Sequence, residues 1–227
     1  MIIRKLTKKE VLWGIVYLCF SLLCLPVILV LANLLLPAPL DDAYVNLIFF
    51  GLNFIAVICI FQKHLQCALE NLLNNIRGIL LCACIGFIAY FLSSFLIGLI
   101  IQALLPAFVN LNDAAIETQM QDHFGIMIIG TVILVPTAEE MLHRALVFGT
   151  LWHKSPVLAY CVSAILFSAI HVVGYIGLYE PPMLLASFIQ YIPAGICLAC
   201  TYRKSENILA PILVHTAVNA IGMFSMR

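Results

Sequence analysis

The sequence predicts an all-α fold, a polytopic helical bundle in the membrane with about seven transmembrane helices. Its 227 residues are 64% hydrophobic and 10% charged, and the mean hydropathy is +1.11. A soluble domain is about half apolar and about a quarter charged, so this composition indicates a membrane protein. Apolar runs of about 20 residues, the length that spans a bilayer, recur along the chain. No basic patch exceeds a few residues, which argues against nucleic acid as a partner.

Seven apolar segments are candidate transmembrane spans, and short connections join them. The first follows the basic stretch MIIRKLTKKE and is longer than the apolar core of a signal peptide, about 7–15 residues. It therefore predicts an uncleaved span. The seven spans are predicted at 11–36, 44–61, 79–105, 124–152, 156–178, 183–202 and 207–226.

Two connections are polar enough to be distinguished from the spans. The segment QKHLQCALENLLNNIRG, residues 62–78, predicts an interfacial helix, and NLNDAAIETQMQDHF, residues 110–124, predicts a polar outer loop. Because every connection is short, residues 1–227 predict a single membrane domain. Within it, residues 1–110 carry no chemical motif, whereas residues 120–226 contain the ionisable side chains of the spans.

Lysine and arginine set the expected orientation, since they concentrate in cytoplasmic loops. With a cytoplasmic amino terminus, one side of the membrane holds Arg4, Lys5, Lys8, Lys9, Lys63, Arg77, Lys154, Arg203 and Lys204. The opposite connections carry only acidic charge, from Asp41, Asp42, Asp113, Glu117, Asp122 and Glu180. We therefore expect a cytoplasmic amino terminus, although seven spans would place Arg227 on the outer side.

The stretch TAEEMLHR, residues 137–144, places ionisable side chains inside the fourth span. Glu139, Glu140 and Arg144 would together cost roughly 10 kcal/mol if they faced lipid, so they must face protein or a wet cavity. Glu140 and Arg144 are one helical turn apart and can pair. Glu139 is rotated by about 100° and remains free to titrate. His143 could share the face of Glu139, as a metal ligand, a proton relay or a bystander.

Two later spans each carry a polar pair at helical spacing. Phe167 and His171 lie in AILFSAIHVVGYIGL, and His215 and Asn219 lie in ILAPILVHTAVNAIG. Each pair is four residues apart, so each presents two side chains on one helical face. Prolines predict helix breaks of the kind that border a cavity, at positions 136, 193 and 211.

These residue types suit the hydrolysis of a peptide bond without a covalent intermediate. A glutamate hydrogen-bonded to a neutral histidine can activate water, and a second histidine with an asparagine can donate to an oxyanion. Neither G-x-S-x-G nor H-E-x-x-H occurs in the chain. The purely structural alternative is a buried Glu140–Arg144 pair that fixes helix packing. It leaves Glu139 unexplained, because no second cation lies nearby in the sequence.

The motifs E-E-x-x-x-R, F-x-x-x-H and H-x-x-x-N, in this order and each in its own span, resemble the CPBP family of intramembrane glutamic proteases. That family includes CAAX prenyl endopeptidases and the Abi-type proteins associated with bacteriocin processing and self-immunity. The resemblance covers roughly residues 120–226, including the stretch AGICLACTYRKSENILAPILVHTAVN. It implies that this part of the chain is the catalytic core.

The resemblance also implies roles for individual residues. Glu139 and His171 would activate water, and His215 and Asn219 would hold the oxyanion. Supporting positions would be Glu140, Arg144 and Phe167. The implied mechanism needs no cofactor or metal, although one glutamate and two histidines could bind zinc on ligand chemistry alone.

The resemblance is closest to bacterial members, which implies a multi-pass protein of a bacterial cell membrane. Its partners would be membrane lipids and a peptide or membrane-protein substrate, with a partner membrane protein as an open option. A CAAX substrate is doubtful in that setting because no prenylation is expected. Two other functions stay open: a non-catalytic immunity or scaffold protein of the same fold, and a proton-coupled transporter. No internal repeat relates the two halves, which argues against the transporter.

Overall fold

The computed structural model describes residues 4–226, which contain helices and turns but no β-strand. The predicted all-α class is therefore confirmed. The helices, in chain order, are α1 (Lys8–Leu23), α2 (Leu25–Leu34), α3 (Asp42–Ile60), α4 (Gln62–Asn74), α5 (Ile76–Leu104), α6 (Leu111–Ile128), a π-helix (Ile129–Leu134), α7 (Val135–Glu140), a second π-helix (Met141–Phe148), α8 (Gly149–Trp152), α9 (Pro156–Ile170), a 3-10 turn (Val173–Tyr175), α10 (Pro181–Ser205) and α11 (Leu209–Ser225).

Four helical segments are long and apolar enough to cross a membrane, and they confirm a multi-pass membrane protein. They are Asp42–Ile60, Ile76–Leu104, Leu111–Trp152 and Pro181–Ser205. The pair α1 and α2, bent by 43°, makes a fifth span if it is counted as one. The predicted number of seven is therefore not confirmed. Seven spans would place Arg227 on the outer side of the membrane, and Arg227 lies beyond the described residues.

Two of the predicted seven spans correspond to shorter apolar helices, α9 and α11. The span predicted at 156–178 is wrong at its end, because α9 stops at Ile170 and a turn region follows. Gly177 lies in that region with φ of 84°, a left-handed conformation that glycine adopts without a steric penalty. At 1.5 Å per residue, α9 is only about 22 Å long, shorter than the hydrocarbon core of about 30 Å.

The polar loop predicted at residues 110–124 is also wrong, because residues 111–124 form most of α6. The side chain of Asn110 accepts hydrogen bonds from the backbone N–H groups of Asn112 and Asp113, which caps the helix. At His123 the backbone leaves the helical region, with φ −129° and ψ 37°, and the helix kinks there. The segment predicted as interfacial is confirmed as a helix, α4.

The core forms where α10 packs along α5 and α9, with α11 beside α5. Gly195 allows a close approach of α10 to the backbone of α9, since a Cβ there would lie 2.8 Å from the Cα of Ala164. Apolar residues of α5 instead face outward, including Leu81, Ile85 and Leu92. Apolar side chains on the outer face of a packed helix are the arrangement expected where that face contacts lipid. The helices α7, α9 and α11 surround the interior.

Candidate active site

Three helices bring the predicted ionisable residues together. Glu139 lies on α7, His171 follows the last residue of α9, and His215 lies on α11. The Oε2 atom of Glu139 is 4.0 Å from Nε2 of His171 and 4.0 Å from Nε2 of His215. This Oε2 atom is buried and has no hydrogen-bond partner within residues 4–226. The free carboxylate oxygen therefore lies between two imidazoles that come from other helices.

The second carboxylate, Glu140, is held in place by a buried ion pair. Its Oε2 atom lies 3.1 Å from Nε of Arg144, and neither side chain is exposed. Its Oε1 atom lies 2.9 Å from Nδ1 of His215. The predicted pairing of Glu140 with Arg144 is thus present, and it also connects to His215, a link that the sequence spacing did not indicate.

Arg144 makes two further contacts that fix the walls of the site. Its Nη2 group donates to the carbonyl oxygen of Gly195, at 3.3 Å. Its guanidinium carbon lies 4.3 Å from the centre of the Phe167 ring, a cation–π arrangement. Phe167 is buried and also contacts the rings of His171 and His215. The aromatic residue predicted to support the site is therefore in contact with three of the polar residues.

Backbone carbonyls determine which ring nitrogens carry hydrogen. Nδ1 of His171 lies 2.7 Å from the carbonyl oxygen of Phe167, and Nδ1 of His143 lies 2.9 Å from that of Glu139. A carbonyl only accepts, so each Nδ1 donates, and each neutral ring keeps a lone pair on Nε2. His171 thus directs a proton acceptor toward Glu139. His143 lies in the cavity wall, bonded to the backbone of Glu139 and not to its carboxylate.

Asn219 lies one turn beyond His215, and its amide donates to the carbonyl oxygen of Thr131 at 2.8 Å. Thr131 belongs to the π-helix, in which a carbonyl accepts from the N–H five residues later. For Thr131 that residue is Pro136, which has no N–H. The Asn219 side chain therefore supplies the donor that the backbone lacks. One amide hydrogen is used in this way, and the second is available to another acceptor.

The side chains of Glu139, His171, His215 and Asn219 line one cavity of about 580 Å³, and Glu140 and Arg144 are not part of its wall. One part of its wall is apolar and includes Leu18, Phe49 and Met223, whereas another part carries side-chain amides such as Asn46 and Gln190. A volume of this size accommodates a short stretch of extended peptide or a similarly sized ligand. Within residues 4–226, no group of three or more His, Cys, Asp or Glu side chains is arranged to hold a metal ion.

The sequence did not indicate two residues of this region. Thr131 has no charge or motif, and only the backbone geometry reveals its role as an acceptor. Tyr191 packs its ring against His171, with ring centres 4.0 Å apart and planes at 22°. One signal in the sequence could have pointed to Tyr191. It lies next to the polar residue Gln190 inside the span predicted at 183–202.

Comparison with known proteins finds a family match in the part of the chain that carries the motifs. Residues 121–221 match the family described as type II CAAX prenyl endopeptidase Rce1-like. This range contains every site residue named from the sequence, so the predicted resemblance is confirmed for this part of the chain. No solved structure matches the chain.

Two curated relatives have names that carry no functional description. UPF0177 protein YxdF of Lactococcus lactis subsp. lactis strain IL1403 is 33% identical over 90 residues, which cover 40% of this chain and 44% of that protein. UPF0177 protein YbdI of the same strain is 25% identical over 142 residues, which cover 60% of this chain and 70% of that protein. The chain therefore spans less than half the length of the first relative and about two thirds of the second.

Proposed function

We propose that this chain, whose residues 121–221 match the Rce1-like CAAX endopeptidases, is an intramembrane glutamic endopeptidase. It hydrolyses a peptide bond of a membrane-associated peptide or protein. The observation that carries the proposal is the position of the Glu139 Oε2 atom, 4.0 Å from Nε2 of both His171 and His215 inside the cavity.

The distance of 4.0 Å is too long for a direct hydrogen bond but suits a shared substrate water. An oxygen atom between Glu139 and His171 can lie about 2.8 Å from both acceptors. The carboxylate takes one proton from this water while the lone pair of His171 orients the other hydrogen. The water oxygen then attacks the scissile carbonyl carbon. When the C–N bond breaks, Glu139 returns its proton to the departing amine.

His215 and Asn219 are proposed to stabilise the oxyanion that forms on the scissile carbonyl. Glu140 accepts a hydrogen bond from Nδ1 of His215, so Nε2 of this ring donates only when the ring carries its second proton. Asn219 offers the amide hydrogen that Thr131 does not use. Removal of one such donor lowers kcat by about 10²–10³-fold in other hydrolases.

The cellular setting is part of the proposal. The charge distribution supports a cytoplasmic amino terminus in a bacterial cell membrane, with no metal or other cofactor required. The mixed apolar and amide lining of the cavity suits a peptide that leaves the lipid near its cleavage site. A peptide precursor or a membrane protein is such a substrate, and a partner membrane protein could present it.

The test is quantitative mass spectrometry of new peptide termini in cells that produce matched amounts of three proteins. These are the wild type, Glu139→Gln and the control Glu117→Gln, which changes an exposed glutamate of α6. We expect termini that are present with the wild type and the control but absent with Glu139→Gln. Identical termini in all three, with the biological effect retained by Glu139→Gln, would contradict the proposal and favour a non-catalytic binding role.

A further inference from the structure

The ring of Tyr191 lies flat against the imidazole of His171. The ring centres are 4.0 Å apart and the planes differ by 22°. His171 directly follows the last residue of α9, where the chain enters a turn. The imidazole also contacts Phe167, through its carbonyl oxygen and through a tilted ring 4.8 Å away, and its Nε2 atom lies 4.0 Å from Oε2 of Glu139. Tyr191 is therefore the stacked neighbour that limits rotation of the His171 ring.

The hydroxyl group of Tyr191 is anchored at the opposite end of its ring. It accepts a hydrogen bond from Nδ2 of Asn112 at 3.2 Å. Its own hydrogen can be donated to Oδ1 of Asn110 or Oδ1 of Asp113, each at 3.3 Å. All three partners belong to the first turn of α6 or to its cap, so the beginning of this helix fixes the tyrosine.

The preceding residue on α10, Gln190, is held by the same cap. Nδ2 of Asn110 donates to Oε1 of Gln190 at 2.8 Å, and Asn110 is itself buried. Two successive side chains of α10, Gln190 and Tyr191, are thus tied to three polar side chains at the start of α6, those of Asn110, Asn112 and Asp113. This arrangement places a rigid aromatic surface beside His171 and links the site to a segment that carries none of the family motifs.

We propose that Tyr191 is a positioning residue for His171, an inference that rests on the proposed hydrolase function. Its ring holds the imidazole plane so that Nε2 faces Glu139. The side chains of α6 act through Tyr191 by fixing its hydroxyl group.

The first test is steady-state cleavage, by purified protein, of a peptide that contains a cleavage site identified in cells. Tyr191→Leu removes the stacked ring and Tyr191→Phe removes only the hydroxyl. We expect kcat to fall about 10–100-fold for Leu and about 3–10-fold for Phe, with KM within about twofold of the wild type, because small misplacements of reacting groups slow chemistry strongly. Tyr179→Leu is the matched control; this exposed tyrosine contacts Tyr175 and is outside the cavity wall.

A double-variant comparison tests the path through the hydroxyl group. If Asn112 acts through Tyr191, Asn112→Ala lowers kcat in the wild type but has no further effect in the Tyr191→Phe background. If the losses of kcat from Asn112→Ala and Tyr191→Phe were additive, Asn112 would not act through Tyr191.

A second readout does not depend on catalysis. Diethyl pyrocarbonate modifies an accessible imidazole nitrogen, and mass spectrometry reports the rate at His171. We expect Tyr191→Leu to increase this rate several-fold and Tyr191→Phe to leave it near the wild-type value.

The outcomes separate this inference from the proposed function. Cleavage by the wild type with unchanged kcat in Tyr191→Leu, or with an effect on KM alone, overturns the inference and leaves the hydrolase intact. Absence of cleavage by the wild type overturns the hydrolase, and the inference with it. Unchanged modification of His171 in Tyr191→Leu overturns the geometric basis of the inference whatever the cleavage result.

Discussion

At the residue scale, the buried pair of Glu140 and Arg144 explains how a charged stretch persists inside a helix bundle. The guanidinium faces Glu140, the Gly195 carbonyl and the Phe167 ring, so its charge has partners on three sides. Removing one member of a buried pair leaves the other charge unpaired, which costs about 3–5 kcal/mol. The pair holds His215 through Glu140, and its loss would therefore affect both stability and the candidate site.

Arg144→Met is predicted to lower the free energy of unfolding by about 3–5 kcal/mol, because Glu140 would remain buried without its cation. Arg203→Met is the control, since the Arg203–Glu206 pair is partly exposed and such pairs contribute about 0–1 kcal/mol. Unfolding of the purified proteins in mixed micelles, with increasing SDS, provides the measurement. If both variants lost the same free energy of unfolding, burial would not be what makes the Glu140–Arg144 pair contribute more than the Arg203–Glu206 pair.

Sequence spacing predicted the contact between Glu140 and Arg144 because both lie on one helix. It could not predict the contact of Glu140 with His215, which joins residues 75 positions apart. The contacts of Asn219 with Thr131 and of Tyr191 with His171 were missed for the same reason. Residues that act through backbone carbonyls or ring faces have no pattern in the sequence that marks them.

At the element scale, irregular helices position the site. Two π-helical segments flank α7, and Pro136 in α7 leaves the Thr131 carbonyl to the Asn219 side chain. The prolines predict helix breaks, whereas the helical segment Leu111–Trp152 continues through Pro136 in partly π-helical form, and α10 and α11 continue through Pro193 and Pro211. Polarity likewise predicts a loop at residues 110–124, whereas the cap provided by Asn110 supports a helix there.

Close packing of α9 against α10 is the second feature at this scale. Gly195→Ala is predicted to lower the free energy of unfolding by about 1–3 kcal/mol. The new Cβ would lie 2.8 Å from the Cα of Ala164, so the backbone of one of the two helices would have to shift. Gly98→Ala is the matched control on α5, where a Cβ meets nothing within 4 Å. There we expect no loss, or a gain of up to about 1 kcal/mol from helix propensity. The same SDS titration measures both variants, and an unperturbed Gly195→Ala would contradict the close approach.

At the scale of the whole molecule, composition was sufficient for the fold class and insufficient for the number of spans. A window of about 20 apolar residues predicted seven, whereas four or five segments reach spanning length. The helices α9 and α11 are apolar but shorter, with 15 and 17 residues, and each buries one face in the protein while Val157, Ile165 and Phe224 are exposed. Burial in protein and burial in lipid select the same side chains, so hydropathy alone does not separate them.

The orientation is predicted to place the Asp42 end of α3 outside the cell and Lys63 of α4 in the cytoplasm. The cysteines of the described chain are free thiols, so a cysteine-free protein loses no disulfide and can carry single cysteines at Asp42 or Lys63. Both positions are exposed. In intact cells, a membrane-impermeant maleimide should label Asp42→Cys and not Lys63→Cys. The reverse pattern would contradict a cytoplasmic amino terminus.

The most direct test of the central claim is kcat for a peptide that contains the cleavage site, measured with purified wild type, Glu139→Gln and Glu117→Gln. The account predicts a loss of at least about 100-fold for Glu139→Gln, since a positioned general base contributes about 10²–10⁴-fold. Glu117→Gln should match the wild type, and a chelator of divalent metals should leave both active. Retention of wild-type kcat by Glu139→Gln would contradict the assignment of Glu139 as the base. Loss of wild-type activity with the chelator, restored by zinc, would contradict the metal-independent mechanism.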